Sequence, residues 1–326
     1  MNVKPVKKCV IPIAGYGTRL FPATKATIKA LFPIVDTDGV AKPIIQIIIE
    51  EAIASGIEEV FLVTQDDQRD VVNAYFSEDC RYHISEVLKQ RPDLRARAAA
   101  ILELGRRITY VIQDEQKGFG HAVYCAKDFV GDEPFLLLLG DHIYISKSSS
   151  RCAKQAIDVF LTYGKSVTTV TPTPEEQLKS FGAIQGRKIP ARAGHADRSD
   201  EPVRFAQRLL CEPQVFEVTI LKEKPDVEYA RKHLRVTSLK TGMYFCNFGI
   251  DVLAPQIFEI LEYNIRHDIR HRGEFQLREA MATLMQQDGL YACVVKGERY
   301  DIGIPQEFVK TVARFGEFSR KAPNSL

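Results

Sequence analysis

No run in this chain approaches the roughly 20 consecutive apolar residues that a membrane-spanning helix requires. The stretch nearest to a leader, "MNVKPVKKCVIPIAG", follows its lysines with an apolar segment about half the length of a secretory h-region and then meets glycine. It is expected to form a first β-strand in a soluble, cytoplasmic protein with no membrane partner. An excess of one charge is missing too. Lys plus Arg number 44 against 42 Asp plus Glu, a formal net charge of +2 over 326 residues, so no general field attracts nucleic acid or anionic lipid. Any anion has to be met by local cations. The seven cysteines include no CxxC pair and no grouping with His at zinc-site spacing. An odd number of scattered thiols suits a reducing compartment and a packing role better than a disulfide frame. Internal repeats and low-complexity tracts are also absent, and no hexapeptide repeat follows Gly303, which removes an appended β-helix.

What the chain does have is a 45% hydrophobic composition, enough for a substantial core. "KPIIQIIIEEAIASG" reads as a helix entered at Lys42 and Pro43 and left at Gly56, with Glu50 and Glu51 on its wet side. "IEEVFLVTQ" follows as a strand, "RPDLRARAAAILEL" as a helix, "ITYVIQ" as a strand and "FGHAVYCAKDF" as a helix. "PFLLLLGD" is a strand apolar enough to be covered on both faces. Strands alternating with helices predict an α/β fold, a Rossmann-like, mostly parallel sheet covered by helices. Beyond "SVTTVTP" strands crowd together, and "ARAGHADRSDEPV" reads as an exposed loop, so a mixed-sheet lobe is inserted there. Helices from Pro255 and Glu274, the strand-and-turn segments "LYACVV" and "RYDIG", and the amphipathic "EFVKTVARFGEFSRK" complete the chain. One domain over 1–326 is expected, with approximate sublobes 1–175, 176–250 and 251–326.

The chemistry concentrates first in "VIPIAGYGTRLFPATKATIKALFPIV". Gly15 and Gly17 stand where the first strand must turn, and glycine lets backbone N–H groups approach a phosphate. A dinucleotide loop would need a third glycine where Leu20 stands, and a P-loop would need Gly-Lys-Ser or Gly-Lys-Thr; neither pattern is met. Arg19 and Lys29 instead flank a loop at the carboxyl end of a first parallel strand, where α/β sheets place ligands. A planar, bidentate Arg suits a polyphosphate, and Lys supplies a point charge to a reacting phosphoryl group. Asp141, after four leucines, puts a carboxylate at the tip of a buried strand where it can hold a divalent cation. Asp301 in "ERYDIG", taken alone, reads as readily as a turn cap.

"GYGTRLFPATKATIKALFPIV" resembles the signature of the sugar-nucleotide pyrophosphorylases, in which a G-x-G-T-R loop is followed ten residues on by a second basic residue, here Lys29. Within that superfamily "PATK", "FPIVD", "IEEAIASGIEEVFLVT", "VIQDEQKGFGHAVYCAKDFVGDEP" and "GEFQLREAMATL" are most similar to the bacterial UTP:glucose-1-phosphate uridylyltransferases. The likeness runs from Val10 to about Phe308. It implies that Arg19 and Lys29 are catalytic and that Gln113 and Gly118 read a pyrimidine, with main-chain contacts from Ala14 and Gly15 and the loop glycine Gly17. It implies Glu223 and Lys224 of "LKEKPD", with Gly182 and more loosely Gly249, on the sugar phosphate, and Asp141 and Asp301 on Mg2+. His121 reads as a helix-start residue. The sublobes would then be a nucleotide-binding core, a sugar-binding lobe and a C-terminal return to the core, in a homo-oligomer, dimer or tetramer.

The sequence departs from that family at two places. Ile28 and Ala30 stand where Pro or Ser and Glu or Gln are usual, and residues 37–41 separate an Asp36–Lys42 pair that is normally adjacent. Both bear on how Lys29 is placed and on which nucleotide and sugar are taken. The reading is Mg-assisted in-line attack of glucose 1-phosphate on the α-phosphorus of UTP, releasing pyrophosphate. A relative using another nucleotide or sugar 1-phosphate, and a non-catalytic nucleotide sensor, remain as alternatives.

Overall fold

The computed structural model of the protein describes residues 3–78, 90–190 and 213–319. The polar stretch expected as a loop at 191–203 lies outside them. The first strand, β1 (Lys8–Pro12), runs parallel between β4 (Glu59–Thr64) and β6 (Phe135–Leu138), and β5 (Ile108–Ile112) continues the parallel set beyond β4. Alternation explains why β1, β4 and β6 are apolar through their centres. Cys9, Ile11, Val60, Leu62, Leu136 and Leu138 enter one core, while Val10, Phe61, Val63, Phe135 and Leu137 enter the other. Side chains in a strand point to opposite faces with period two, so a sheet covered on both sides needs an unbroken apolar run.

Helix α2 (Ile44–Ala54), helix α7 (Cys152–Tyr163) and helix α11 (Pro305–Ser319) supply the first core. Helix α5 (Phe119–Cys125), α9 (Gln256–Arg266) and α10 (Leu277–Asp288) supply the second. The sheet continues past β6 through β11 (Met243–Leu253), β8 (Val167–Pro174), β12 (Tyr291–Val294), β10 (Gln214–Lys222) and β9 (Ala183–Lys188), giving nine strands in one sheet. Strands β8 and β12 pair parallel, whereas β11, β10 and β9 enter antiparallel, so the architecture is mixed α/β. The region after β8 carries a small core of its own, with Leu178, Ala183, Ala230, Leu234, Tyr244 and Cys246 buried together. Its strands nevertheless share the main sheet.

Helix α2 starts two residues later than its proline suggested, because Lys42 and Pro43 belong to a short strand, β3 (Ala41–Pro43), paired with β2 (Pro33–Val35). Helix α10 likewise begins at Leu277, with Glu274 bridged to His271. The expectation that Glu51 faces water is overturned: it is 4% exposed. Its carboxylate accepts from the Ala153 N–H at the start of α7 at 2.9 Å and pairs with Arg151 at 3.5 Å. A free helix N-terminus offers unpaired N–H groups and positive potential, so an acid from a neighbouring helix is buried to cap it. Of the described cysteines, Cys9, Cys152, Cys246 and Cys293 are buried and Cys125 is partly so. No described helix is long and apolar enough to cross a membrane.

Candidate active site

The loop after β1 opens the site. Ala14 turns its carbonyl toward two amides, accepting from Gln65 Nε2 at 2.5 Å and Gln116 Nε2 at 3.0 Å. Gly17 is left-handed (φ +64°), and a Cβ there would stand 2.9 Å from Thr24 Cγ2. That residue bends the chain into a single 3-10 turn, Thr18–Leu20, which presents Arg19, and a second such turn, Lys29–Leu31, presents Lys29. Gly17 therefore shapes the loop without lining the cavity it borders.

The acidic side arrives on an antiparallel ribbon. Strand β7 (His142–Ser146) pairs with β13 (Gly297–Asp301) in a register that sets Asp301 opposite His142, and Ile302 N–H donates to Asp141 O at 3.0 Å. Asp141 Oδ2 accepts from Lys29 Nζ at 2.8 Å, and Asp141 Oδ1 lies 2.8 Å from His142 Nδ1. Burial would raise the Asp141 carboxyl, but the hydrogen bond from His142 and the charge of Lys29 outweigh it and hold it well below the usual carboxylate range. One ligand atom each from Asp141, His142 and Asp301 falls within a mutual 4.8 Å. Asp301 also caps its turn, accepting from Gly303 N–H at 2.6 Å, so the cap and the cavity-facing position coexist. A Cβ on Gly303 would meet Asp301 Oδ1 at 2.9 Å, Arg19 Nη2 at 3.0 Å and Asp141 Oδ2 at 3.0 Å. Arg19, Asp141 and Asp301, far apart in sequence, therefore converge on one glycine.

Gln113, 3% exposed, follows β5. Its Nε2 stands 3.4 Å from the Gly118 carbonyl and 3.1 Å from His121 Nδ1. Burial, reinforced by the nearby Lys117 charge, lowers the pKa of His121 and favours the neutral ring, which can accept. With both neighbours accepting, the amide nitrogen is used inside the protein. His121 is the third residue of α5, in the first turn of the helix as expected, and it lies beside Gln113. Gly118 (φ +109°) is crowded by Glu274 Cβ and the Phe275 backbone, whose N–H donates to Lys117 O at 2.9 Å.

Glu223 and Lys224 leave β10 just before helix α8 (Val227–His233), which Asp226 caps by accepting from Tyr229 N–H at 2.7 Å. Lys224 is held at φ +45°, unusual for a residue with a side chain, and its Nζ lies 3.7 Å from Glu223 Oε1. Gly182 faces Glu223 Oε2 and Asn247 Oδ1, which would stand 2.9 and 2.4 Å from a Cβ placed there. Gly249 (φ +99°) sits in an irregularity of β11, and its carbonyl accepts from Tyr144 Oη at 2.8 Å.

A single cavity of ≈ 710 Å³ is lined by Ala14, Gly15, Arg19, Lys29, Gln113, Gly118, Asp141, Gly182, Glu223, Lys224, Gly249 and Asp301. A family model described as nucleotidyl transferase matches residues 8–316. The chain belongs to that family. A curated member from Staphylococcus saprophyticus, UTP–glucose-1-phosphate uridylyltransferase 1, is 35% identical over 310 residues, covering 95% of this chain and 92% of the relative. The Staphylococcus epidermidis UTP–glucose-1-phosphate uridylyltransferase is 35% identical over 315 residues, with 96% and 93% covered. Among solved structures, apo UDP-glucose pyrophosphorylase superposes with a TM-score of 0.74 at 27% identity, covering 96% of this chain and 98% of that one. A UDP-glucose pyrophosphorylase complexed with UDP-glucose gives 0.70 at 26% identity, covering 96% and 99%.

The two departures from the family's usual pattern resolve locally. Ala30 is buried in the first core and Ile28 packs against it, and both also line the cavity, so apolar residues stand where the loop meets the interior beside Lys29. Residues 36–40 form the turn of the β2–β3 hairpin, and Lys42 still reaches Asp36 Oδ2 at 2.7 Å, with Asp38 at 2.7 Å and Glu50 at 2.8 Å. Burial would lower Lys42, but hydrogen bonds to the three carboxylates raise its pKa instead. Asn247, Arg278, Arg299 and Gln116 also line the cavity and were not anticipated. Gln116 lies in the quoted segment "VIQDEQKGFG", where polarity next to Gln113 was an available signal. The other three belong to the second half of the sheet or its helices, where sequence pattern gives no facing.

Proposed function

We propose that the protein is a UTP:glucose-1-phosphate uridylyltransferase in which an oxygen of the sugar phosphate attacks the α-phosphorus of UTP in line and pyrophosphate leaves. The observation that carries this reading is that Arg19, Lys29, Asp141 and Asp301 line one cavity together with Gln113, Gly118, Gly182, Glu223 and Lys224. That lining offers groups suited to each part of the reaction: base, triphosphate and sugar phosphate.

No protein nucleophile is needed, because the attacking phosphate is already an anion; catalysis is positioning and charge neutralisation. Arg19 and Lys29 hold the triphosphate and meet the charge that grows on the departing pyrophosphate. Lys224 steers the incoming phosphate, and Glu223 accepts from sugar hydroxyls. Gln113 spends its Nε2 on Gly118 and His121, so its Oε1 is free to accept the imide N–H of uracil, which cytosine lacks. The residues fit a divalent cation: Asp141 and Asp301 offer hard carboxylate oxygens in close reach, and Asp141 is held ionised. Magnesium bound there would supply further neutralisation of the phosphates.

The decisive measurement is pyrophosphate release across a matrix of UTP, dTTP, CTP and ATP against several sugar 1-phosphates with Mg2+. UTP with glucose 1-phosphate is expected to be the fastest pair. A faster rate with another nucleotide or sugar reassigns the substrate, and silence in every pair while UTP still binds turns the reading to a sensor.

A further inference from the structure

Strand β11 does not run straight past β8. Asn247 pairs with Val170 and Asp251 with Thr168, so three residues of β11 lie opposite one of β8. A bulge of this kind re-aims side chains and occurs beside active sites. Here it is pinned from behind: Thr169 Oγ1 donates to Ile250 O at 2.6 Å, and Ile250 N–H donates back to Thr169 Oγ1 at 3.2 Å. Asn247 is thereby turned toward the cavity while remaining only 5% exposed.

A chain of hydrogen bonds fixes which way its amide faces. Arg278 Nη1 pairs with Asp251 Oδ1 at 3.0 Å, and the same oxygen accepts from Thr168 Oγ1 at 2.6 Å. A threonine hydroxyl has one hydrogen, which this short contact with a carboxylate consumes. Thr168 Oγ1 can then only accept from Asn247, and Asn247 Nδ2 stands 2.8 Å away. The amide nitrogen is therefore anchored inward and Oδ1 points outward. That oxygen is buried and has no hydrogen-bond partner, a condition it shares among the described residues only with Tyr110 Oη. A buried acceptor left unpaired is costly, so something is expected to satisfy it. It faces the space above Gly182 together with Glu223 Oε2, and any side chain at 182 would fill that space.

We propose that Asn247 is a specificity-determining residue of the sugar end, its Oδ1 accepting a hydrogen bond from one ring hydroxyl that Glu223 does not take. The inference rests on the reading of this cavity as a sugar 1-phosphate site. Two acceptors facing one space select a ligand with two donors side by side, as vicinal hydroxyls are, and penalise a sugar lacking one of them. A site built around a substrate hydroxyl rejects the analogue without it far more strongly than an apolar pocket distinguishes sizes.

The test is steady-state kinetics with UTP, Mg2+, glucose 1-phosphate and its 2-, 3-, 4- and 6-deoxy analogues on wild type, Asn247→Leu, Asn247→Ser and Asn247→Asp. Leucine keeps the volume without an acceptor; serine is too short to place an acceptor in the cavity; aspartate keeps the outward oxygen. In the Leu and Ser variants, KM for glucose 1-phosphate is expected to rise at least about tenfold with KM for UTP unchanged, the worth of one such hydrogen bond. The penalty for one deoxy position should collapse while the others persist, and Asp should preserve that penalty. UTP binding by calorimetry reports an intact fold, and either of the first two variants suffices. Wild-type turnover of glucose 1-phosphate with every deoxy penalty undiminished in the variants overturns the inference alone. Silence of the wild type across the panel overturns the sugar-phosphate reading, and the inference with it.

Discussion

Lys29 Nζ and Asp141 Oδ2 lie 2.8 Å apart although 112 residues separate them in the chain. A cation drawn from the first loop and an anion from the tip of a central strand hold one another in place before any substrate arrives. Lys29→Ala and Asp141→Ala are each expected to lower kcat by about 10²–10³, the first by removing a charge contact to the developing anion and the second by removing a proposed metal ligand. Circular dichroism should show an unchanged fold, and a variant that retains near-wild-type pyrophosphate release would remove that residue from the mechanism.

Gly303→Ala should be almost as damaging without touching a charged group. Its methyl would stand within contact of Asp301 Oδ1, Arg19 Nη2 and Asp141 Oδ2, at 2.9, 3.0 and 3.0 Å. Those groups would have to spread, and displacement of about 1 Å at a reacting centre can cost about 100-fold. The expected result is a drop in kcat with little change in melting temperature. Wild-type kinetics in the variant would mean that the three side chains need not converge.

Kinetics should separate the two ends of the cavity. Glu223→Ala is expected to raise KM for glucose 1-phosphate by about tenfold or more and leave KM for UTP alone, whereas Gln113→Leu should do the reverse. Parallel changes in both constants for both variants would argue that the two substrates do not lie as assigned.

Acid should expose a structural ion cluster on the other side of β13. Hydrogen bonds from Lys147 and Tyr300, against a smaller burial penalty and with help from Arg314, pull Glu298 down to about 2. An unfolded glutamate titrates at about 4.3. Because the folded value is depressed, the stabilisation is complete above the unfolded value and disappears as pH falls through the folded one. The melting temperature of Glu298→Gln should lie below wild type at pH 7, and the gap should narrow as pH falls from about 5 toward 2. A gap independent of pH would assign the effect to packing.

The parallel half of the sheet was legible because its signals are local. Each of β1, β4 and β6 is an unbroken apolar run, and the glycines and cations that follow β1 stand in one short loop. Arg19, Lys29 and Asp141 could therefore be named from residue type and position. Glu51 was misplaced because the partner that buries it, the α7 N-terminus, lies 102 residues away and leaves no trace in helical periodicity. Asn247 was missed for a related reason. Its facing is set by a bulge and by Thr168, and neither a bulge in β11 nor the choice of strand beside it is encoded in alternation. Gly303 carried no signal beyond a turn, since its importance is the room it leaves for side chains from three other places.

Synthesis proceeds from the N-terminus, and Asp301 belongs to the last of the described strands. On the proposed mechanism, competence waits on the pairing of β13 with β7, and a state of the chain that has not made this pairing should hold nucleotide without consuming it.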